Sequence, residues 1–271
     1  MLNNTNQESP TITPELVDIQ SSYDSRSIAI QNVGVKGVRH PIKIKDANGD
    51  YSQSVATINM TVSLPPNVKG THMSRFIELL HDGDLLISYQ SLRQLLPKML
   101  ERLDSESGKI EFEFPYFTTK KAPVSGVESV LDHDVKIEGT MNNGVLELFY
   151  QVSVPVTSLC PCSKKISKYG AHNQRSRITM KAEVLSSDLT FEDMIDIAES
   201  SSSCDLYGIL KRPDEKYVTE KAYENPMFVE DMVRDVSAAL SEHSGIGSYT
   251  VEVENFESIH NHSAYAVITS E

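Results

Sequence analysis

A thiol and an imidazole fall close together in one polar stretch of this chain. Cys160-Pro161-Cys162-Ser163 is followed by Gly170-Ala171-His172-Asn173-Gln174-Arg175-Ser176. A thiolate beside an imidazole either binds a borderline metal or works as a nucleophile with its base. Three cysteines in 271 residues are too few for a disulfide framework, so both chemistries stay open. Two distant polar clusters offer further ligands. Leu210-Lys211-Arg212-Pro213-Asp214-Glu215-Lys216 brings carboxylates, and Glu257-Ser258-Ile259-His260-Asn261-His262 brings histidines. One carboxylate and one histidine would complete a mixed set that suits zinc, and more weakly manganese or iron. The bland readings stand beside this. C-x-C is not a zinc knuckle, Cys162 and Cys204 read equally well as small core residues, and His260 and His262 as solvated turn histidines. His40, His81, His133 and His243 receive no role.

Two more groups could hold a substrate. Lys69-Gly70-Thr71-His72-Met73-Ser74-Arg75 precedes a predicted helix, whose free N–H groups with Lys69 and Arg75 could cradle a phosphate. Lys164, Lys165, Arg175, Lys211 and Arg212 could add charge, although most such cations are solvated surface groups. Glu230 lies in the first turn of another predicted helix. A carboxylate there can accept the paired N–H donors of a guanine or pterin edge, and the helix dipole alone also favours an acid at that place.

Positioning these groups requires a framework. Val33–Lys45 and Val55–Leu64 alternate apolar and polar residues and read as strands. Met73–His81 reads as a short helix. Leu92, Leu95, Leu96, Met99, Leu100 and Leu103 mark a longer one, which Pro97 should kink. Ile110 to Phe114 and Val135 with Ile137 give two more strands. After the turn Asn142-Asn143-Gly144, strands are expected over Val145–Val156 and Arg177–Leu185. A helix opened by Thr190 and Asp193 follows, then one through Phe228–Leu240 ending near Gly245. Thr250–Phe256 and Ala264–Ile268 close the chain as strands. Each half thus reads strand, strand, helix, helix, strand, strand, an α+β pattern repeated without clear identity. The expected divisions are a disordered tail over 1–28, one module over 29–142 and a second over 143–271, which carries the metal candidates.

Composition narrows the function classes. A net charge of −13 disfavours general nucleic-acid binding, which rests on phosphate neutralisation. No apolar run approaches the ~20 residues of a membrane span. The first residues lack a basic region followed by an apolar core, and with few cysteines this points to a reducing cytoplasm.

Taken in order, the stretches Lys69–Phe76, Ser158–Ser163, Gly170–Ser176, Leu210–Lys216, Asn225–Asp231 and Glu254–His262 resemble the type IB GTP cyclohydrolase I family. The likeness runs from about residue 30 to the end. It implies the tunnelling fold, with two tandem ββααββ modules, antiparallel sheets and paired helices, and barrels closed by oligomerisation. It implies a homotetramer with active sites at subunit interfaces, and one divalent metal per site: Zn, Mn or Fe(II). The reaction it implies converts GTP to 7,8-dihydroneopterin triphosphate and formate, the first step toward tetrahydrofolate. Carried over, the metal ligands are Cys160, His172, Glu215 and His260. Glu230 anchors the guanine edge and His262 is a proton-transfer partner. Lys69, His72, Arg75 and Arg175 are placed at the substrate by their charge. The rival readings are a 7-cyano-7-deazaguanine reductase-like enzyme, with Cys160 as nucleophile and no metal, and a non-catalytic purine- or pterin-binding protein.

Overall fold

The computed structural model describes residues 17–46 and 49–270. Their centre is one antiparallel sheet of long strands. β1 (Ile30–Lys45), β2 (Tyr51–Leu64), β4 (Ser107–Lys121) and β5 (Glu128–Asn142) form its first half. β6 (Val145–Leu159), β7 (Asn173–Val184), β8 (Ile246–Asn255) and β9 (Ala264–Thr269) form its second. A two-residue strand, β3 (Leu86–Ile87), runs parallel to β1, and the order is β3-β1-β2-β4-β5-β6-β7-β8-β9. The two halves do not form separate sheets. β5 pairs with β6 from Asp134↔Ser153 to Asn142↔Val145, so the ladder is continuous. The turn between them is Asn143-Gly144 with φ 49° and 78°, the left-handed pair that suits a two-residue hairpin.

Helices cover one face only. α1 (Met73–Leu80) and α2 (Tyr89–Leu103) lie on the first half, while α4 (Phe191–Ser200) and α6 (Val229–Glu242) lie on the second. Their apolar stripes meet the inward positions of the strands in one core, which includes Phe76, Leu96, Met99, Ile110, Phe112, Val154, Ile178, Met194 and Val236. Pro97 stays inside α2. It is exposed, and the carbonyl it leaves unpaired belongs to Arg93, which also faces solvent. Close packing shows at Gly139, where a Cβ would meet Leu96 Cδ1 at 2.6 Å.

Two further helices depart from the expected pattern: a short α3 (Pro161–Ile166) and α5 (Arg212–Glu224). α5 has little apolar periodicity, buries only Asp214 and Ala222, and begins with Pro213 in its first turn. A polar helix of this kind leaves no stripe to read. The opposite face of the sheet is polar. There Lys109 bridges Glu111 and Glu138, Lys136 bridges Glu111 and Glu113, and Lys181 reaches Glu138. Of the expected tail, residues 1–16 lie outside the described residues. From Val17 the chain runs beside the loop before α1, where Tyr23 pairs with Val68 and the Asp24 N–H donates to Asn67.

Candidate functional site

The ends of β6 and β7 set the backbones of Cys160 and His172 side by side. The Cys160 N–H donates to the His172 carbonyl at 3.1 Å. Cys160 caps α3, its sulfur accepting from the Ser163 N–H at 3.4 Å, and Pro161 fits the first helical position because its missing N–H is not needed there. The Ser163 hydroxyl donates to the Cys160 carbonyl and accepts from the His172 N–H, each at 3.2 Å, closing the loop between them.

His172 is held by its side chain as well. Its Nδ1 lies 2.9 Å from Gln174 Oε1. Gln174 Nε2 donates to Ser158 Oγ at 2.7 Å, and Ser176 donates to the same oxygen at 2.8 Å. Glu257 Oε2 is 3.7 Å from the same ring nitrogen. An oxygen acceptor facing Nδ1 suits the ring tautomer that carries its proton there. This is the usual arrangement behind a metal-binding histidine.

Other elements converge on this end of the sheet. Met227 N–H donates to the Leu159 carbonyl, which seats the start of α6 and its first-turn Glu230 beside β6. Lys164 donates to the Tyr223 carbonyl and lies over the Tyr223 ring, tying α3 to the end of α5. At the other end of α5, buried Asp214 accepts from the N–H groups of Val124, Ser125 and Lys211 and from the Ser125 hydroxyl, at 2.6–2.8 Å. Burial opposes its ionisation, but these four donors outweigh that and hold its carboxyl well below the usual range. The β4–β5 turn is thereby fastened to the helix that carries Glu215. Phe256 N–H donates to the Arg175 carbonyl, so the 256–263 loop starts beside β7, and in it the His260 and His262 rings stack at 5.1 Å.

The expected ligands are therefore placed unequally. Cys160 and His172 are neighbours, whereas Glu215 and His260 are exposed, on α5 and on the 256–263 loop. Among the described residues, no group of three or more His, Cys, Asp or Glu side chains is gathered closely enough to hold a metal. The donor chemistry of the first pair and the fixed Nδ1 of His172 nevertheless fit a borderline divalent ion. Cys162 is exposed at the start of α3, so it is not a core residue, whereas Cys204 is buried. His262 lies next to His260 and is exposed. The phosphate candidates lie elsewhere. His72 Nε2 is 3.1 Å from Asp18, Arg75 donates to the Arg102 carbonyl at the end of α2, and the Lys69 N–H donates to Ser22. Arg175 is exposed on the polar face of β7.

Gln174, Ser158 and Glu257 received no role from the sequence. A signal was present for two of them: Ser158 and Gln174 fall in phase with the buried apolar positions Val154, Val156, Ile178 and Met180, where a polar residue needs a partner.

Comparison places this arrangement among known proteins. The fold is shared with a hyper-thermostable mutant of AgUricase at a TM-score of 0.51, covering 89% of this chain and 92% of that one with 9% identity. The fold class is thus a uricase-like α+β sheet with helices on one face. The model of the family described as type I GTP cyclohydrolase folE2 matches residues 16–266, and the chain belongs to that family. A protein of Methylobacillus flagellatus named GTP cyclohydrolase FolE2 is 56% identical over 96% of this chain and 97% of its own length. One of Cupriavidus pinatubonensis with the same name is 58% identical over 95% of each.

Proposed function

We propose that the chain hydrolyses GTP at C8, giving 7,8-dihydroneopterin triphosphate and formate at the entry to tetrahydrofolate biosynthesis. The observation that carries this reading is the Cys160–His172 pair, with Nδ1 of His172 committed to Gln174, in a chain of the cyclohydrolase family. A divalent metal held by Cys160, His172, Glu215 and His260 would supply a Lewis acid and a water of lowered pKa. Zinc, manganese and iron(II) all suit that donor set. Glu215 and His260 are solvent-exposed, so their side chains are not committed to the core. Glu230 accepts the guanine N1–H and exocyclic amine and so fixes the ring. His262 moves protons at N7 and at the ribose, a role that suits an imidazole.

The triphosphate end implies a second copy of the chain. Register carries Val62 of β2 level with Leu146 of β6, through Gly108 and Met141. Lys69, His72 and Arg75 follow the β2 end, and Cys160 follows the far end of β6. At ~3.3 Å per residue the two groups are on the order of 40 Å apart. One GTP cannot span that distance, so a site using both takes them from different subunits. This supports the homotetramer with interfacial sites, two tandem modules per chain and tunnelling-fold barrels closed between copies. The polar, helix-free face fits a water-filled lumen. GTP is the partner proposed, with neither nucleic acid nor membrane. Among the described residues no helix is long and apolar enough to cross a bilayer, and the cytoplasm is the proposed location.

The test is metal-reconstituted turnover of GTP by the full chain, following formate release and pterin fluorescence. Activity unaffected by chelation, or by Cys160→Ala, overturns the metal reading.

A further inference from the structure

We propose that Gln174 is the residue that selects the metal-binding tautomer of His172, and that Ser158 and Ser176 lock Gln174 in the orientation that does so. The inference rests on the proposed metal site and goes beyond its ligands.

The argument starts from the two ways this chain of groups can be polarised. In one, His172 Nδ1–H donates to Gln174 Oε1, and Gln174 Nε2–H donates to Ser158 Oγ. Nε2 of His172 is then a bare lone pair. In the other the amide is turned over. Its Nε2–H would donate to Nδ1, Ser158 would donate to Oε1, and the proton of His172 would sit on its own Nε2. Only the first state can bind a metal through that nitrogen. An isolated imidazole would populate both tautomers, so an ion would have to reorganise the ring before binding.

The surroundings choose the first state. Ser158 Oγ receives two hydrogen bonds, from Gln174 Nε2 and Ser176 Oγ, and its acceptor capacity is thereby used. Turning the amide over would set Oε1 against Ser158 Oγ unless that hydroxyl swung round to donate. Glu257 Oε2, 3.7 Å from Nδ1, is a second acceptor that favours a proton on that nitrogen. None of the three has water to fall back on: Gln174 is 7% exposed, Ser158 0% and Ser176 1%. A buried polar group left without a partner costs about 1–3 kcal/mol. The polar string is continued by Asn255, which faces Ser176 in the β7–β8 register and is itself buried. Four polar side chains at inward positions of three adjacent strands make a poor core. They do make a stiff support for one imidazole.

Glu257 lies near enough to the same nitrogen, at 3.7 Å, to move in if Gln174 were lost. The test therefore removes it first. Full-length chain stripped of metal and carrying Glu257→Ala is titrated with cobalt(II) chloride, reading the visible ligand-field and thiolate charge-transfer bands, and affinity is set by competition with a chromophoric chelator. Adding Gln174→Met, which keeps volume and removes the acceptor, should weaken cobalt binding at least tenfold. Gln174→Glu retains an acceptor for Nδ1–H and should stay within about threefold of its parent. Ser158→Ala, a smaller change, should weaken binding in the same direction. Equal affinity of the Gln174→Met variant and its parent overturns the inference. So does equal loss in the Met and Glu variants accompanied by equal loss of thermal stability, the mark of a packing role only. The underlying site is checked separately. If His172→Ala binds cobalt as tightly as the unmodified chain, the proposed ligand set is wrong and the inference falls with it.

Discussion

Lys120 holds together the segment that leads to the candidate site, and its removal should be costly. Its Nζ contacts Glu199 at the end of α4 and Asp205 Oδ2 at 3.0 Å, while Lys221 on α5 approaches Asp205 Oδ1 at 3.0 Å. The Lys120, Glu199 and Asp205 side chains are only 15%, 12% and 18% exposed. Burial raises the Glu199 carboxyl above its usual range, an effect Lys120 only partly offsets. Burial also pushes Asp205 upward, but Lys120 and Lys221 together bring it below its usual value. A contact at 3 Å in an effective dielectric of about 20 is worth roughly 5 kcal/mol of attraction, most of it offset by desolvation. Lys120→Met keeps the desolvation and removes the attraction, leaving two buried carboxylates to one lysine. The expected loss is about 3–5 kcal/mol, or about 10 °C in thermal midpoint. Its pH dependence has a definite sign. Without Lys120 the folded-state pKa of Glu199 rises further above its unfolded value, so stability falls as pH rises from the unfolded pKa through the folded one. The deficit should be larger at pH 8 than at pH 5, measured by thermal and urea unfolding at both. Adding Glu199→Gln should recover more than about 1 kcal/mol in a double-mutant cycle. A loss under about 1 kcal/mol that does not vary with pH would refute the argument, since it is the behaviour of a solvent-screened surface pair.

Three other outcomes are expected. Glu230→Gln should lower kcat/KM for GTP by roughly 30–100-fold, the loss of one charge-assisted hydrogen bond, with unchanged circular dichroism; wild-type turnover would remove Glu230 from the guanine edge. Gly139→Ala should destabilise by about 1–3 kcal/mol because its Cβ would sit 2.6 Å from Leu96 Cδ1, and Leu96→Ala in the same chain should recover part of that loss. Asp214, whose carboxyl is depressed in the folded state, stabilises above its unfolded pKa of about 3.9, and that contribution disappears as pH falls through the folded value. The drop in urea midpoint between pH 7 and pH 3 should therefore shrink in Asp214→Asn, and an unchanged drop would count against the four-donor account.

Most of the sheet was legible because each long strand buries one face, so period-two alternation survives along β1, β2, β4 to β8. β9 was legible too, although it is short and half-buried. What stayed illegible has physical causes. α5 is fixed by Asp214 and Lys164 at its two ends and not by an apolar stripe, and hydrogen bonds of that kind leave no period in the sequence. The fusion of two halves into one sheet depends on β5–β6 pairing, which a tight Asn143-Gly144 hairpin makes natural but which the repeat reading obscured. In the site, the spacing of Cys160 and His172 suggested a pair, and the strand ends set their backbones side by side. The proposed partners could not be placed from spacing, because Glu215 and His260 are presented by a polar helix and a turn, neither of which has a periodicity tied to the core.

The same geometry is the reason for proposing that one chain offers only half of a substrate site. Long antiparallel strands put everything that follows β2 at one end of the sheet and everything that follows β6 at the other. A triphosphate anchor and a metal centre built on those two ends can meet only when a second sheet is laid beside the first. The distribution of polar groups agrees with such a meeting. The helical face is packed by an apolar core, while the opposite face carries paired lysines and glutamates that remain satisfied in water. In the proposed assembly, then, dissociation to monomers at low protein concentration should abolish turnover while leaving cobalt affinity at Cys160 and His172 largely intact. Turnover that stays proportional to protein concentration down to a demonstrably monomeric state would show that one chain carries a whole site.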